Sequence, residues 1–598
     1  MKIRKHVVAG TTAAILSVMV LTGCGSSDSS SSSGAAAATT SAASSVDASQ
    51  TVAQVLADDT EVHDTGADGT YDEADVVDIS LDGDTATSDA DGVSIDGSTV
   101  TISAAGTYRL SGTLTDGNVV VDAKDQVVTL ILDDADISSS TDAAIAAVQA
   151  DRLVVVLADG STNNLSDTAT YADDADVNAA LFSDDDMTIT GTGALTVTGN
   201  GNDGIASKDG LVIDGGTITV TAADDGIRGK DYLVVNGGTI TVTAGGDGLK
   251  ADNAEDADAG FVAVAGGTVT VTAGGDGLTA DNDTDADAGY VLLAGGTVWA
   301  AATGDGVQAA TDLLVTGGTI DVTSGGGSGT APSDDESAKG LKSGVITVIE
   351  GGDVTVDASD DSVHSDGAVH VVDGTLALAT GDDGVHAEGG LTIDGGDVTV
   401  STSVEALEGA DIAVNSGDVD VTASDDGVNA SGDAAETTEE ASEADGTEQG
   451  PSGGGGGDAV GDFSLVVTGG TLVVDAEGDG LDSNGTATIS GGTITVNGPT
   501  NGGNGALDVN GTFDVSGGTL VAAGSSGMIV TPSADSEQSF VSVTLDSTAE
   551  AGSVVEVTDA DGTVVATYTA TKTMQNIVIS SADVVAGDTY TATVDGTD

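Results

Sequence analysis

The amino-acid sequence predicts an all-β protein whose main body is a parallel β-helix, a solenoid in which each coil takes about 22 residues. A Gly-Gly-Thr type turn recurs along the chain, most often 22 residues after the previous copy. An Asp-Gly turn recurs in parallel with it. Between these turns lie short alternating runs of β-branched residues, such as residues 217–220, and this pattern is typical of half-buried strands.

The composition excludes some classes of partner and supports the β-helix. The chain has 598 residues, with 13 Lys+Arg against 99 Asp+Glu and a net charge of −86. Nucleic acid is excluded as a partner because its phosphates need Lys and Arg to replace their counterions. Anionic sugars or lipids are repelled unless a cation intervenes. Only 4 Pro interrupt the strands, and aromatic residues make up 2% of the chain, so the core must be aliphatic.

The first 24 residues have the features of a targeting segment. Lys2, Arg4 and Lys5 precede an apolar stretch over residues 7–21, which is too short for a convincing membrane span. The sequence Leu-Thr-Gly-Cys at residues 21–24 resembles a bacterial lipoprotein signal. The resemblance implies a signal peptide over residues 1–24, a lipid on Cys24 and a location on the outer face of the cell membrane. The alternative is an ordinary cleaved signal with a coincidental cysteine.

The remaining chain divides by composition and repeat regularity. Residues 25–65 are mainly Ser, Ala, Thr and Asp and predict a flexible tether. Residues 66–200 predict irregular coils, and residues 201–530 predict regular coils with exposed loops at 324–340 and 431–462. The period is lost near the end, where residues 535–598 predict a small β-domain or cap with a hairpin turn at Asp561-Gly562.

Stacking of coils converts the repeat into columns of side chains. The position two residues after each turn Asp is apolar, so it points inward, and the next residue points outward. That outward position forms what we call the cation row: Ala206, Arg228, Lys250, Thr279, Gln308, Lys342, His364, His386, Glu408, Asn429 and Asp482. Lys208 and Lys230 lie two residues further on from the row. Either these cations pair with the stacked carboxylates, or Arg228, Lys230, Lys250, Lys342, His364 and His386 line a groove for an anionic polymer.

Two seven-residue acidic insertions, at residues 252–258 and 281–287, fall on consecutive coils. Clustered oxygen ligands on adjacent loops suit Ca²⁺. Together with the turn carboxylates, they give the candidate calcium ligands Asp225, Asp247, Asp252, Asp256, Asp258, Asp276, Asp281, Asp283, Asp285 and Asp287. The alternative is a pair of solvated acidic loops. Mg²⁺ lacks a substrate phosphate here, and zinc is disfavoured because His364 and His386 have no further His nearby.

Three aromatic residues lie five residues before successive Gly-Gly turns: Tyr232, Phe261 and Tyr290. Alternation places them on the outside of the rod. They predict either a sugar-stacking strip or a ladder that shields the strand ends.

The repeated motif resembles a known family. Residues 224–242, Asp-Asp-Gly-Ile-Arg-Gly-Lys-Asp followed by a strand and Gly-Gly-Thr-Ile-Thr-Val, are similar to coils of the bacterial carbohydrate-binding β-helix lipoproteins. The similarity runs from about Gly92 to the C-terminal region. It implies a right-handed, pectate-lyase-like β-helix that binds Ca²⁺ and cellulose or polygalacturonate without established catalysis. The extreme acidity and sparse Lys of this chain depart from that pattern.

Three functions are compatible with these features. The first is a monomeric, non-catalytic polysaccharide binder or adhesin that Ca²⁺ assists. The second is a polysaccharide lyase, in which Arg228 or Lys250 would act as the base, by resemblance to this type of fold. The third is a structural surface stalk, or an ice-binding face built from repeated Thr-x-Thr segments.

Overall fold

The computed structural model describes residues 46–58, 67, 69–172, 175–256, 259–284, 288–332, 337–432 and 460–596. The chain divides into two compact units, residues 1–44 and 45–598, and all described residues belong to the second. The predicted signal peptide with Cys24 lies outside the described residues. The same holds for residues 25–45 of the predicted tether and for Asp258, Asp285 and Asp287. In the part of the chain described, no helix has both the length and the apolar character needed to cross a membrane.

The second unit is a parallel β-solenoid of about 15 turns, as the repeat predicts. Its strands pair in parallel with the strands one coil away; Thr217–Ala222, for example, pairs residue by residue with Thr239–Ala244. Each regular coil contributes three strands, and like strands stack into three faces.

We call the first face the long-strand face. Its strands are Ala194–Gly199, Thr217–Ala222, Thr239–Ala244, Thr268–Ala273, Thr297–Ala302, Thr319–Ser324, Asp353–Ala358, Thr375–Thr380, Asp397–Thr402, Asp418–Ala423, Thr471–Ala476, Thr493–Asn497 and Thr519–Gly524. The edge strands follow the Asp-Gly turns. They are Asp203–Ser207, Ile227–Gly229, Leu249–Ala251, Leu278–Ala280, Val307–Ala309, Leu341–Ser343, Val363–Ser365, Val385–Ile393, Leu407–Val414, Val428–Ala430, Leu481–Ser483 and Leu507–Val509.

The third face completes each coil, and Val385–Ile393 and Leu407–Val414 continue into it. Its own strands are Gly210–Ile213, Tyr232–Val235, Phe261–Val264, Val291–Leu293, Asp312–Val315, Ile346–Ile349, Ala368–Val371, Ser464–Val467, Thr486–Ile489 and Phe513–Val515.

Alternating burial holds the coils together. In Thr239–Ala244 the Ile, Val and Ala side chains are buried and the three Thr are exposed. Ile240 stacks between Ile218 and Val269 of the neighbouring coils. Gly238, in the turn before this strand, has a φ of 96°, and a Cβ there would lie 2.9 Å from the carbonyl oxygen of Gly216. The Gly-Gly turn is therefore required both by its left-handed backbone and by the close approach of the next coil.

The coils before residue 194 are less regular. Val76–Gly83, Gly106–Leu114 and Val127–Ser138 pair in parallel, while Val93–Asp96 and Thr99–Ile102 form a hairpin. The strands of this region are Val76–Gly83, Ala86–Thr87, Val93–Asp96, Thr99–Ile102, Gly106–Leu114, Asn118–Asp122, Val127–Ser138, Ile145–Gln149, Arg152–Leu157, Thr162–Ser166, Ala179–Ser183 and Asp186–Gly191, with a short 3₁₀ turn at Glu73–Asp75.

The structure differs from the predicted tether at Val52–Asp58, which forms an α-helix. Val52 and Val55 are buried against Leu314, Ile346 and other apolar residues of the third face. The backbone N–H of Val52 donates to the Glu350 carboxylate at 3.0 Å. This segment folds onto the solenoid because the third face presents apolar side chains outward there, and their burial stabilises the contact.

The C-terminal region caps the last coil and is not separate from it. Met574–Ser580 pairs antiparallel with Thr519–Gly524 and with Phe540–Ala549. A three-stranded sheet of Val554–Thr558, Val564–Thr569 and Thr591–Val594 packs beside them. Val554–Thr558 and Val564–Thr569 form the hairpin predicted around Asp561-Gly562.

Candidate functional site

The strand register places the cation row in one column along the edge strands, as the sequence predicts. Arg228 lies opposite Lys250, which lies opposite Thr279, and Lys342 lies opposite His364, which lies opposite His386. The row then continues through Glu408, Asn429 and Asp482. Basic side chains therefore give way to imidazoles, and these give way to acidic side chains, along a single line.

The turn carboxylates beside this row form a hydrogen-bonded ladder that we call the Asp ladder. In each rung the Oδ1 atom of an Asp accepts the backbone N–H of the residue at the same turn position one coil further on, which is an Asp in most rungs. Asp225 accepts from Asp247 at 2.9 Å, and Asp247 accepts from Asp276 at 2.8 Å. The other rungs join Asp203 to Asp225, Asp276 to Asp305, Asp305 to Lys339, Asp361 to Asp383, Asp383 to Glu405, Asp426 to Asp479 and Asp479 to Gly505.

The second carboxylate oxygen of several rungs binds a cation of the row. Lys250 Nζ lies 2.7 Å from Asp247 Oδ2 and 3.5 Å from Asp225 Oδ2. Lys342 Nζ lies 2.9 Å from Asp305 Oδ2. These side chains are largely buried, and their contacts match the charge-pairing alternative. The predicted groove for an anionic polymer therefore does not have free cations at Lys250 and Lys342.

Arg228 pairs with the first acidic insertion and not with the ladder. Its Nε and one terminal nitrogen contact Asp252 Oδ2 at 2.9 and 2.7 Å. Asp252 Oδ1 is buried and has no hydrogen-bond partner. Lys230, two residues beyond Arg228, lies at the turn where its carbonyl accepts the Asn253 N–H at 2.9 Å.

The acidic insertions approach one another as predicted, in the part that the structure describes. The charges of Asp247 and Asp252 add to burial in raising the pKa of Asp281. Asp256 Oδ2 accepts a bond from Asn253 at 3.0 Å, and Asp283 is exposed. The two insertions are in direct contact, because Asn282 Nδ2 of the second donates to the Asp256 carbonyl of the first at 2.9 Å.

Beyond His386 the ladder and the row both carry carboxylates. Burial, reinforced by the charge of Glu408, raises the pKa of Glu405 to about 7. Burial and the charges of Asp426 and Asp508 raise the pKa of Asp482 to about 7. Asn429 lies between Glu408 and Asp482 in the row; its Nδ2 donates to Glu405 at 2.7 Å, and its buried Oδ1 has no partner.

The predicted sugar-stacking strip is wrong in its exposure. Tyr232, Phe261 and Tyr290 do stack, with ring centroids 5.4 and 4.9 Å apart. They are only 9%, 2% and 8% exposed, however, and pack with Leu56 of the N-terminal helix and Leu292 of the third face. The alternative of a shielding ladder describes them, because the rings lie within an apolar cluster and present no open face to a ligand.

One exposed aromatic residue not predicted from the sequence as a binding residue is Trp299, the one tryptophan of the chain. It is 38% exposed on the long-strand face, where Thr270 and Asp321 flank it on the adjacent strands. The outward ladder on this line is Thr196, Thr219, Thr241, Thr270, Trp299, Asp321, Thr355, Ala377, Thr399 and Asp420. The signal was present in the sequence: Trp299 occupies a position that holds Thr in the preceding coils.

Comparison with known proteins gives three similarities. A family model described as a carbohydrate-binding domain-containing protein matches residues 96–281 and 262–384. A protein of Acetivibrio thermocellus with the same description is 33% identical over 227 residues, which cover 37% of this chain and 66% of that protein's length. A solved structure of the polysaccharide lyase-like protein from C. thermocellum, as a gadolinium derivative, is 33% identical, covers 40% of this chain and 96% of its own, and has a TM-score of 0.34.

The Asp ladder predicts different effects for two substitutions of Asp247. Asp247→Asn keeps an oxygen that accepts the Asp276 N–H but loses the charge opposite Lys250, whereas Asp247→Ala loses both. We expect Asp247→Ala to lower the free energy of unfolding by about 1–3 kcal/mol more than Asp247→Asn, because it leaves a buried N–H without a partner. Urea denaturation followed by circular dichroism measures this. Equal destabilisation by the two variants would mean that the backbone bond contributes nothing.

The crowded carboxylates predict a pH dependence of stability without divalent cations. Burial raises the folded-state pKa of Asp203, Asp276 and Asp482 to about 7, and that of Asp426 to about 6. The folded state therefore binds protons that the unfolded state has released above about pH 4. Stability should fall as pH rises through 6 to 7, and the melting temperature in chelator should be lower at about pH 8 than at about pH 5.

A control separates these groups from the rest of the chain. The double variant Asp426→Asn, Asp482→Asn should show a smaller difference in melting temperature between about pH 5 and about pH 8. A melting temperature that rises between about pH 5 and about pH 8 in the unsubstituted chain would contradict the raised pKa values.

Proposed function

We propose that the chain binds polysaccharide on the long-strand face without cleaving it, and support comes from its similarity over residues 96–281 and 262–384 to carbohydrate-binding domain-containing proteins. The observation that carries this proposal is Trp299, an exposed aromatic ring whose own and adjacent strands present Thr side chains outward. An aromatic face supplies a large apolar contact area at little cost in conformational entropy.

The neighbours of Trp299 suit an extended polymer. The strands on either side present Thr268, Thr270 and Thr319 outward, and strands of a sheet repeat about every 4.8 Å. Hydroxyl groups both donate and accept hydrogen bonds, as sugar hydroxyls do. The ring supplies stacking, and the Thr ladders supply repeated polar contacts along the rod.

The charge of this face favours a neutral polymer such as cellulose. Asp321 is exposed next to Trp299 on the adjacent strand, and the chain as a whole carries a charge of −86. A polyuronide such as pectin would meet repulsion at every approach unless a cation lay between the two sets of carboxylates. We therefore propose that the chain binds a cellulose-type polymer without a cation, and that it binds a pectin-type polymer only when Ca²⁺ is present.

The donor sets at two places fit Ca²⁺. The buried Oδ1 of Asp252 lacks a partner, and Asp281 of the next coil is close enough to interact with Asp252. The buried Oδ1 of Asn429 also lacks a partner and lies among carboxylates of the ladder and the row. Ca²⁺ prefers carboxylate and amide oxygens. When bound, the ion supplies positive charge that can join protein carboxylates to those of a polymer.

The geometry does not favour the lyase alternative. Burial alone would lower the pKa of Lys250, but its bond to Asp247 and the charges of Asp225 and Asp247 outweigh burial and raise the pKa above its ordinary value. A general base needs a pKa near the working pH. Arg228 is held by Asp252, and its pKa is also raised.

We also propose that a lipid on Cys24 holds the chain at the outer face of the cell membrane. Support comes from the basic residues Lys2, Arg4 and Lys5, the apolar stretch that follows, and the Leu-Thr-Gly-Cys sequence. Two or three acyl chains would anchor the protein stably.

Trp299 makes the binding proposal directly measurable, since the intrinsic tryptophan fluorescence comes from one residue. Titration with a soluble cellulose oligosaccharide should change the intensity or wavelength of that emission. Trp299→Ala should weaken retention on cellulose by about 2 kcal/mol, roughly 30-fold. The control is Val127→Ala, which removes an exposed apolar side chain from the irregular coils. Unchanged retention of Trp299→Ala would overturn the proposal for this face.

The calcium proposal predicts binding heat and stabilisation. Calorimetric titration of the metal-free chain with Ca²⁺ should show binding, and the melting temperature should rise with the ion concentration. Asp252→Asn should weaken binding at the insertions, whereas Asp321→Asn on the long-strand face should not. Retention on polygalacturonate that is the same with Ca²⁺ and with chelator would contradict the bridging role.

The non-catalytic proposal predicts no β-elimination. Polygalacturonate incubated with the chain and Ca²⁺ should give no increase in the ultraviolet absorbance of unsaturated product, while an active lyase in the same buffer does. A steady increase that Lys250→Met abolishes would establish the lyase alternative instead.

A further inference from the structure

Two histidines of the cation row contact the Asp ladder as imidazoles, where Lys250 and Lys342 of the row contact it as ammonium groups. His364 and His386 are direct partners on successive edge strands, and their rings meet edge to face with centroids 4.9 Å apart. His364 is buried and His386 is largely buried. Two imidazoles stacked in a chain with 5 His are the nitrogen ligands that transition metals select.

The Nδ1 atoms of both rings face the same carboxylates. His364 Nδ1 lies 2.8 Å from Asp361 Oδ2, and His386 Nδ1 lies 3.7 Å from that oxygen. Asp383 Oδ2 is also 3.7 Å from His386 Nδ1. Ligand atoms around a tetrahedral Zn²⁺, at about 2.0–2.1 Å from the ion, are separated by roughly 3.3 Å. The observed separations bracket that value.

The opposite edge of each ring has an acidic partner. His364 Nε2 lies 3.0 Å from Asp366 Oδ1, and His386 Nε2 lies 3.7 Å from Glu408 Oε2. The hydrogen bond to Asp366 can hold the proton of His364 on Nε2, so that Nδ1 can donate its lone pair when an ion replaces the proton between it and Asp361. This arrangement orients both imidazoles as metal ligands.

The backbone fixes how Asp361 would bind. Its Oδ1 accepts the Asp383 N–H at 3.1 Å as a rung of the Asp ladder, so only Oδ2 is available. Lys339 Nζ contacts that oxygen at 2.7 Å and also contacts Asp360 at 2.9 Å. An ion at Oδ2 would compete with Lys339 there, and the ammonium retains Asp360 as its partner.

We propose that Asp361, His364 and His386 form a site for a divalent transition ion such as Zn²⁺, distinct from any Ca²⁺ site. Their ligand atoms lie within 4.8 Å of one another and come from two consecutive coils, so the ion would fasten those coils together. The mixed set of two nitrogens and one carboxylate disfavours Ca²⁺, which takes six to eight oxygens. The His spacing in the sequence disfavours zinc because further His ligands are absent nearby, but these three ligands leave one position of a tetrahedral ion for water or for Asp383 beside His386.

The test uses the full chain, freed of metal and kept in excess Ca²⁺ so that the many surface carboxylates are occupied. Titration with Co²⁺ should produce a visible absorption band from a nitrogen-containing site, and Zn²⁺ should remove the band at one equivalent. His364→Gln and His386→Gln should each weaken binding by 10-fold or more. His370→Gln is the matched control, since His370 is a buried His that contacts Gln50 and Asp394 instead.

Further measurements distinguish a ligand role from a loss of structure. Asp366→Asn should weaken Co²⁺ binding about 10-fold without removing the band, and Asp394→Asn should leave binding unchanged. Zn²⁺ should raise the melting temperature of the unsubstituted chain and of His370→Gln, but not of His386→Gln. Equal binding by His370→Gln and His386→Gln, or displacement of Co²⁺ by Ca²⁺, would overturn the proposal. Neither result depends on whether polysaccharide binds.

Discussion

Most regular coils of this solenoid place a turn carboxylate beside the one before it, and the structure depends on how that repulsion is offset. The Asp ladder offsets it with the backbone: most of these carboxylates accept an N–H from the next coil, so the contact that stacks the charges also compensates them. A hydrogen bond to a charged acceptor is stronger than one between neutral groups. The ladder thus couples neighbouring coils at their turns, and the buried Val, Ile and Leu columns couple them through the core.

The groups that contact the second oxygen of the turn carboxylates change along the edge strands. Lysines neutralise it near Asp247 and Asp305, imidazoles meet it near Asp361, and carboxylates or an amide surround it beyond Glu405. A single repeated scaffold therefore carries three electrostatic environments in sequence. The long-strand face, by contrast, presents mainly Thr outward, with Trp299 as its one tryptophan and Asp at several positions, and the two proposed kinds of binding, of ions at the edge and of polysaccharide on the sheet, rest on this difference.

The sequence predicts the solenoid and the register of its edge because both follow from counting residues. Arg228, Lys250, Lys342, His364 and His386 share a column since each follows an inward apolar residue, and local alternation decides that. Whether such a side chain is free or paired depends on distances between coils, which counting does not give. The contacts of Lys250 with two turn carboxylates are an example, because they depend on distances between coils that residue counting does not give.

Burial by a distant segment is harder still to predict from periodicity. Tyr232, Phe261 and Tyr290 lie where alternation places them, but the chain between residues 46 and 58 packs nearby on the third face, and composition predicted a tether there. Val52, Val55 and Leu56 have helical spacing, but so short an apolar run beside a long Ser, Ala, Thr and Asp segment is a weak signal for a helix. Trp299 was not predicted as a binding residue because Thr occupies the same position in the preceding coils, and this regular pattern dominates that part of the sequence.

The junction at Lys339 also bears on how the rod folds. Solenoids behave as one-dimensional arrays in which each repeat is stabilised by its neighbours, so order spreads from coil to coil. Up to Asp305 the rungs are uniform. At the next coil Lys339 replaces the aspartate, and its ammonium binds Asp360 and Asp361 one coil further on. At this coil, therefore, the coupling between turns depends on a flexible side chain in place of a fixed carboxylate, while the edge strands remain paired on both sides.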